Sequence, residues 1–392
     1  MPASAAKIAL YANIGAELTH YDVDVAGAAL TRRGTVSLPA NVQYAWPHAS
    51  QPFLYVATSD SASGMGPAGT NHRLTALRID PGSGALSPHG ASIPLPTRPI
   101  HMATDIPSEH ALVAFNNPSS IHIYRINPDG TPGVEVAQPG TIDPGIFAHQ
   151  VRATPDNKQV ILVTRGHDPA GARPEEPGAL KVFDYNAGML SREVSIAPNG
   201  GYGFGPRHLD FHPARPWVYV SLERENRVDM FPLNNGALTP EAAFRKSTLS
   251  QPVPPGARQA VGTVHVHPSG KFVYVANRAS TAVPVEGRSV FAGGENTLAV
   301  FAIDPATGEP NAIQHVDTRG IHCRTFHIDP SGRMLVAAHI QGITVKEGAG
   351  FREVPCCLSV FRIGDDGKLD FVRKYDIDVG GRTQWWMGMV RL

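Results

Sequence analysis

The sequence predicts an all-β chain folded as a seven-bladed β-propeller of four-stranded antiparallel blades. Three observations carry this. An apolar strand, a His-Pro or Asp-Pro turn and a second apolar strand recur along the chain. The recurrence has a period of about 50 residues, which suits propeller blades. A spare apolar segment near the end of the chain can complete the first blade and close the ring.

The clearest copy of the unit is Gly205-Pro206-Arg207-His208-Leu-Asp-Phe-His212-Pro213, followed by Trp217-Val-Tyr-Val-Ser-Leu-Glu223. A second copy runs from Gly262 through His267-Pro268 to Arg278, and a third from His322 through Asp329-Pro330 to Leu335-Val-Ala-Ala. The second strand can be marked seven times, near Leu10, Leu54, Leu112, Ile161, Val218, Val273 and Leu335. A third strand follows each, near His20, Leu74, Ile121, Leu180, Val228, Leu298 and Leu358, and most of these end in Asp or Asn. A Gly-containing turn and an outer strand come next, as at Gly84, Gly188 and Gly236; Asp or Asn before Gly supplies the left-handed backbone of a tight hairpin.

Closure follows from what is missing. Before Leu10 there is no room for an innermost strand, whereas Thr383-Gln-Trp385-Trp386-Met-Gly-Met-Val390 lies beyond the last blade. That segment is expected to pair beside Ile8 to Asn13, leaving no open sheet edge. The 392 residues are therefore read as one domain, 1–392.

Composition agrees. Gly (39) and Pro (35) are abundant and charged residues are only 17%, which favours short strands and tight turns over long helices. No run of 18 apolar residues or signal-peptide pattern is present, so no membrane span is expected. Formal net charge is zero without a basic stripe, which argues against nucleic acid. Three cysteines cannot all pair, and a reducing, cytoplasmic location is the simpler expectation. A monomer or weak homodimer is expected.

Aligning the inner strands on their turns places Gln43, Arg207, Gly262 and Arg324 five residues before the turn, and, with a one-residue slip, His101 and His149. These should line one end of the central channel. Four residues past the second-strand Tyr position, a further layer reads Gly15, Ser59, Asn117, Gly166, Glu223, Arg278 and Ile340. Glu223 and Arg278 break its neutral pattern, and charges in a narrow channel are costly unless paired or used. Converging Arg, Glu and His side chains suit a small anion, because Arg presents a rigid fork of donors to carboxylate or phosphate. His149 has an unperturbed pKa near neutrality, as a general base requires. His208, His212, His265 and His267 read as turn and strand packing. No Gly-x-Ser-x-Gly elbow, dinucleotide motif or metal-ligand spacing is present, so neither cofactor nor metal is expected. The inserts Ser61–Thr70, Gly166–Gly178 and Arg278–Glu295 fall between second and third strands and are expected to rim the pocket.

These motifs resemble the seven-bladed propeller lactonases, a family that includes propeller-type 6-phosphogluconolactonases and the fungal carboxy-cis,cis-muconate cyclase. The likeness rests on Gly205 to Pro213, Val218 to Glu223, Val266 to Arg278, and His149-Gln150 before Thr154-Pro155. It implies a catalytic set of His149, Arg207, Glu223 and Arg278, which the register had already singled out. His101, His208, Arg324 and Asn117 are the expected substrate contacts. The expected reaction is hydrolysis of a small anionic lactone or carboxylate-bearing substrate. Lactonising cyclisation of a carboxy-muconate and a non-catalytic binding propeller are the alternatives.

Overall fold

The computed structural model describes residues 7–61 and 69–392. The expectations for the first six residues and for most of the Ser61–Thr70 insert lie outside the described residues. The fold class is as expected: antiparallel four-stranded blades, with the C-terminal strand paired into the first of them. The chain divides into two compact units, residues 1–23, 30–207 and 388–392, and residues 24–29 and 208–387.

In the first unit, sheet 1 runs Ala29–Ser37, Glu17–Asp24, Ile8–Ile14 and Met387–Arg391 in hydrogen-bonded order. Sheet 2 is Asn41–Pro47, Phe53–Ser59, His72–Ile79 and Leu86–Pro94. Sheet 3 is Pro99–Thr104, His110–Asn116, Ser119–Ile126 and Pro132–Glu135, and sheet 4 is Ala148–Ala153, Gln159–Thr164, Ala179–Asn186 and Met189–Ile196. The second strands are covered on both faces: every residue of Phe53–Ser59 and His110–Asn116 is buried. That is why they read as continuous apolar runs rather than alternating ones. Between sheets 2 and 3 the core is Phe53, Tyr55, Met102, Val113, Phe115 and Tyr124.

The second unit continues the pattern. Sheet 5 contains Pro206–Phe211, whose first two residues belong to the first unit, then Trp217–Leu222 and Arg227–Asn234. Its outer strand is split into Ala237–Leu238 and Phe244–Ser247, both paired to Arg227–Asn234. Sheet 6 is Gln259–Val266, Phe272–Ala279, Thr297–Ile303 and Pro310–Asp317; sheet 7 is Cys323–Ile328, Met334–His339, Cys357–Ile363 and Leu369–Asp376. Tyr219, Met230, Val264, Val275 and Phe301 form the core between sheets 5 and 6.

The turn motifs of the repeat fasten successive sheets within each unit. The Tyr11 hydroxyl donates to the Gly84 carbonyl at 2.7 Å and Tyr55 to Gly130 at 3.1 Å. In the second unit Tyr219 donates to Gly308 and Tyr274 to Gly367, both at 2.8 Å. The His-Pro turns act likewise: His212 Nε2 donates to the Gly270 carbonyl at 2.9 Å, and His267 Nε2 to that of Gly332 at 2.8 Å. Their Nδ1 atoms accept from backbone N–H groups of their own turns. The packing role read for His212 and His267 is what the structure shows. The turn at Asp304–Gly308 is more than a connector, because its last carbonyl is the acceptor for Tyr219.

Two details depart from the sequence reading. The closing strand is Met387–Arg391, shorter than anticipated, and Thr383–Trp386 precede it as irregular chain. Gln384 explains the delay. Its N–H donates to the Ile340 carbonyl at 2.9 Å and its amide to that of His339 at 3.1 Å, tying this stretch to sheet 7. The pairing itself is as expected, and Leu392 N–H donates to the Lys7 carbonyl at 2.8 Å. The second departure is an accessory sheet. The insert after Arg278 is a hairpin, Ala282–Val285 with Arg288–Phe291. A second hairpin, Ile343–Glu347 with Gly350–Val354, grows from sheet 7, and the two meet through a parallel bridge of Val290 with Thr344.

Candidate functional site

Five of the inner strands share a local irregularity, and some of the candidate residues sit on it. In the first unit, one extra residue separates Val42 from Tyr44, Pro99 from His101 and Ala148 from Gln150, each pair facing consecutive residues of the second strand. In the second unit the same happens between Cys323 and Thr325, and between Val261 and Val264 two residues, Gly262 and Thr263, stand against the single Ala276. These are β-bulges, which re-aim side chains and occur beside functional sites. Gln43, His149 and Arg324 are the extra residues. His149 thus holds the register position without the expected slip. His101 does carry the slip: the bulged residue of its strand is Ile100, and His101 pairs with Ala114.

The first unit gathers cations around a neutral imidazole. His101 is fully buried, with its ring 3.9 Å from that of Tyr44, and Val151 N–H approaches its Nδ1 at 3.5 Å. Burial first, then the charges of Arg152 and Arg207, hold its pKa well below the usual value. Arg207 is 1% exposed and His149 6%. Arg98 is buried too, donating from Nε to Gln43 Oε1 at 2.8 Å; burial lowers its pKa to about 10. The Arg152 guanidinium lies 5.0 Å above the Trp46 ring.

The second unit builds a hydrogen-bonded group around Arg278, the penultimate residue of Phe272–Ala279. Its Nη2 donates to Glu223 Oε1 at 2.5 Å, and its Nη1 to His322 Nε2 at 3.1 Å. Side-chain exposure is 7% for Arg278 and 12% for Glu223, so this ion pair is largely withdrawn from water. Gly262 lies beneath it; a Cβ there would be 3.5 Å from Arg278 Cδ and Nε. His322 Nδ1 is 2.8 Å from Ser280 Oγ. Nearby in sequence, the guanidinium carbon of Arg324 lies over the Trp385 indole, 3.5 Å from the ring centroid. His208 is buried, and its N–H reaches Ser221 Oγ at 3.3 Å, while Ser221 donates to the Gly262 carbonyl at 2.8 Å.

Glu223 and Arg278, the two residues that broke the neutral layer, are therefore paired. Asn117 is placed differently, exposed in the turn between His110–Asn116 and Ser119–Ile126, where its carbonyl accepts from Thr97. His265 lies 3.5 Å from Asp210 and stacks edge-on with His327. His322, Ser280, Arg98 and Trp385 were not singled out as candidates from sequence. His322 opens a repeat that was read, but it stands two residues ahead of the aligned register. Among the described residues no group of three or more His, Cys, Asp or Glu side chains is arranged to hold a metal ion. No helix among them is long and apolar enough to cross a membrane.

Comparison with known proteins is consistent across the chain. Residues 6–346 match the family model described as lactonase, 7-bladed beta-propeller. The chain is 25% identical over 344 residues to the 6-phosphogluconolactonase of Bacillus subtilis, covering 85% of this chain and 87% of that protein. It is 27% identical over 313 residues to the enzyme of the same name from Cronobacter sakazakii, covering 79% and 80%. Among solved structures, the periplasmic gluconolactonase of Pseudomonas aeruginosa superposes with a TM-score of 0.71 at 21% identity, covering 98% of this chain and 99% of that one. A putative 6-phosphogluconolactonase from Bacteroides uniformis gives 0.73 at 20% identity, covering 98% and 100%. These two likenesses establish the fold.

One expectation is corrected by these findings. A cytoplasmic location was inferred from unpaired cysteines, yet a protein of this architecture is periplasmic. The physical reason is visible here. Cys323, Cys356 and Cys357 are free but buried, and burial pushes their thiols up to about 12, 12 and 11. Packing alone keeps them as thiols, so they report nothing about the compartment.

Proposed function

Because the chain belongs to the seven-bladed β-propeller lactonase family, we propose that it hydrolyses a small anionic lactone, with a phosphorylated sugar lactone as the leading candidate. Hydrolysis of a small ring ester is the coarse activity that the family and the names of its relatives support. The anionic substrate is supported by one observation above the others: Arg98 and Arg207 are both buried, and the charge of Arg207 helps to hold His101 neutral. Buried guanidinium groups favour a ligand that brings negative charge.

In this reading residues 1–392 act as one domain. Arg278 grips the anionic group of the substrate, oriented by Glu223. His149 takes a proton from water, whose oxygen attacks the lactone carbonyl carbon. Arg207 stabilises the oxyanion that develops there. Collapse of the tetrahedral intermediate breaks the ring C–O bond, and the leaving alkoxide takes the proton back from His149. The product is an open hydroxy acid, which releases one proton near neutral pH. His149 is preferred to Glu223 as the base because Glu223 is engaged by Arg278 at 2.5 Å. Arg324 and His208 are assigned to substrate contact and His101 to a supporting role; Asn117, exposed in its turn, is not given one.

Proton release in a weakly buffered indicator solution tests the proposal. The panel is 6-phosphogluconolactone, gluconolactone and muconolactone, each corrected for spontaneous opening. Rapid acid formation with one lactone, reduced about 100-fold or more in both His149→Ala and Arg207→Ala, is expected. No acid above background with any of them would refute the hydrolase.

A further inference from the structure

We propose that His322 is a positioning residue for Arg278, and that it works only as the neutral imidazole protonated on Nδ1. The inference deepens the functional reading above and rests on it for the role of Arg278. Its geometry stands independently.

The argument begins with what each atom can do. A guanidinium has five donors and no acceptor. Arg278 Nη1 lies 3.1 Å from His322 Nε2, so Nε2 must present its lone pair. The proton of a neutral ring then sits on Nδ1, and Nδ1 faces Ser280 Oγ at 2.8 Å, an oxygen able to accept it. Arg278 thus selects the tautomer, and the Ser280 hydroxyl, which can accept as well as donate, accommodates it.

The backbone of His322 is held for this purpose. Its φ is +56°, a left-handed conformation that few residues other than glycine adopt, histidine more readily than most. Its N–H donates to Asn296 Oδ1 at 2.7 Å, and the same oxygen receives Ala279 N–H at 3.1 Å. One buried amide therefore fixes the backbone of His322 and of the residue that follows Arg278. The Ile340 N–H closes the arrangement on the His322 carbonyl at 3.2 Å.

The consequence concerns the plane of the guanidinium. Glu223 holds Nη2 and His322 holds Nη1, and two acceptors at the two ends of the fork fix its rotation. Without His322 the Nη1 end of the fork loses the acceptor that sets its direction. Positioning within a fraction of an ångström is what binding and catalysis require of such a group. A glutamine at 322 offers a carbonyl oxygen at similar reach and keeps an acceptor; an alanine keeps none.

Two measurements on the full chain test this at pH 7.5. Kinetics with 6-phosphogluconolactone compare the wild type with His322→Ala, His322→Gln and Ser280→Ala. Expected are a KM at least 10-fold higher in His322→Ala with kcat within about 3-fold, and recovery to within about 3-fold of the wild-type KM in His322→Gln. Ser280→Ala is expected to fall between them. Equal losses in the alanine and glutamine proteins, or no loss in the alanine protein, would overturn the proposal. The second measurement is nitrogen NMR of histidine-labelled protein, with the His322 signals identified by their disappearance in His322→Gln. A neutral Nδ1–H ring is expected. An Nε2–H ring or an imidazolium overturns the proposal whatever the enzyme does. A wild type inactive on every lactone would instead sink the functional reading, while the ring nitrogens still decide the role of His322.

Discussion

The hydroxyl of Tyr219 donates to the carbonyl oxygen of Gly308, a residue 89 positions further along the chain. This one bond ties the second strand of sheet 5 to the turn between the third and fourth strands of sheet 6. Gly308 has a φ of +80°, and a Cβ placed on it would come within 2.7 Å of the Trp217 ring. Glycine is needed twice over, for the left-handed backbone and for the close approach.

Tyr219→Phe is therefore expected to lose about 1 kcal/mol, the net value of one buried hydrogen bond, plus a share for the carbonyl left without its donor. Gly308→Ala should cost more, because strain and a clash add. Urea unfolding of both proteins beside the wild type checks the order. A Tyr219→Phe protein as stable as the wild type would show that the contact is incidental to the packing around it.

Arg278→Lys is expected to lose about 100-fold in kcat/KM in the lactone assay, although charge is retained. A lysine ammonium is a single point and cannot hold the Glu223 and His322 acceptors at two ends of a planar fork. Activity within about 3-fold of the wild type would mean that only the positive charge matters here.

His339 sets a pH window for stability. It is fully buried, and burial lowers its pKa from 6.5 to about 4, with its Nδ1–H donating to the Cys357 carbonyl at 3.0 Å. The folded chain keeps this ring neutral while the unfolded chain protonates it below 6.5. Stability is thus complete above that value and declines as the pH falls towards 4, by about 2 kcal/mol at pH 5. Denaturant titrations at pH 7.5 and 5 should show that loss, and His339→Asn should reduce it. An unchanged difference in the variant would place the acid sensitivity elsewhere.

The three thiols should be silent in the native protein. With their pKa values raised to about 12, 12 and 11 and their side chains buried, almost no thiolate is available at pH 8. A thiol reagent should detect none before denaturation and three after it. A fast-reacting thiol in the folded protein would contradict the packing around Cys323, Cys356 and Cys357.

The blades were legible in the sequence because each repeats the same short-range chemistry: two apolar runs, a His-Pro or Asp-Pro turn and a Gly turn. Glu223 and Arg278 were legible for a different reason, as charges in a layer that is otherwise neutral, and they are indeed partners. The bulges at Gln43, His149 and Arg324 were not, since one extra residue in a strand leaves no mark on residue type. The count to the turn is the same with or without it, so the spacing at Gln43, His149 and Arg324 gives no sign of the bulge either. The accessory sheet was out of reach as well. Its two hairpins belong to different repeats and meet through the single bridge of Val290 with Thr344, which no local pattern encodes. Gln384 held the closing strand back by bonds to His339 and Ile340, contacts that exist only once sheet 7 has formed.

The bond from Leu392 N–H to the Lys7 carbonyl has a consequence for how the chain can be rewired. The described ends lie side by side in sheet 1, so a short flexible linker could join them without disturbing a strand. New ends could then be opened at the exposed turn near Asn235, where glycine and asparagine already take left-handed backbone. In such a circular permutant all four strands of sheet 1 would be contiguous with their neighbours, and sheet 5 would become the one assembled from both extremities.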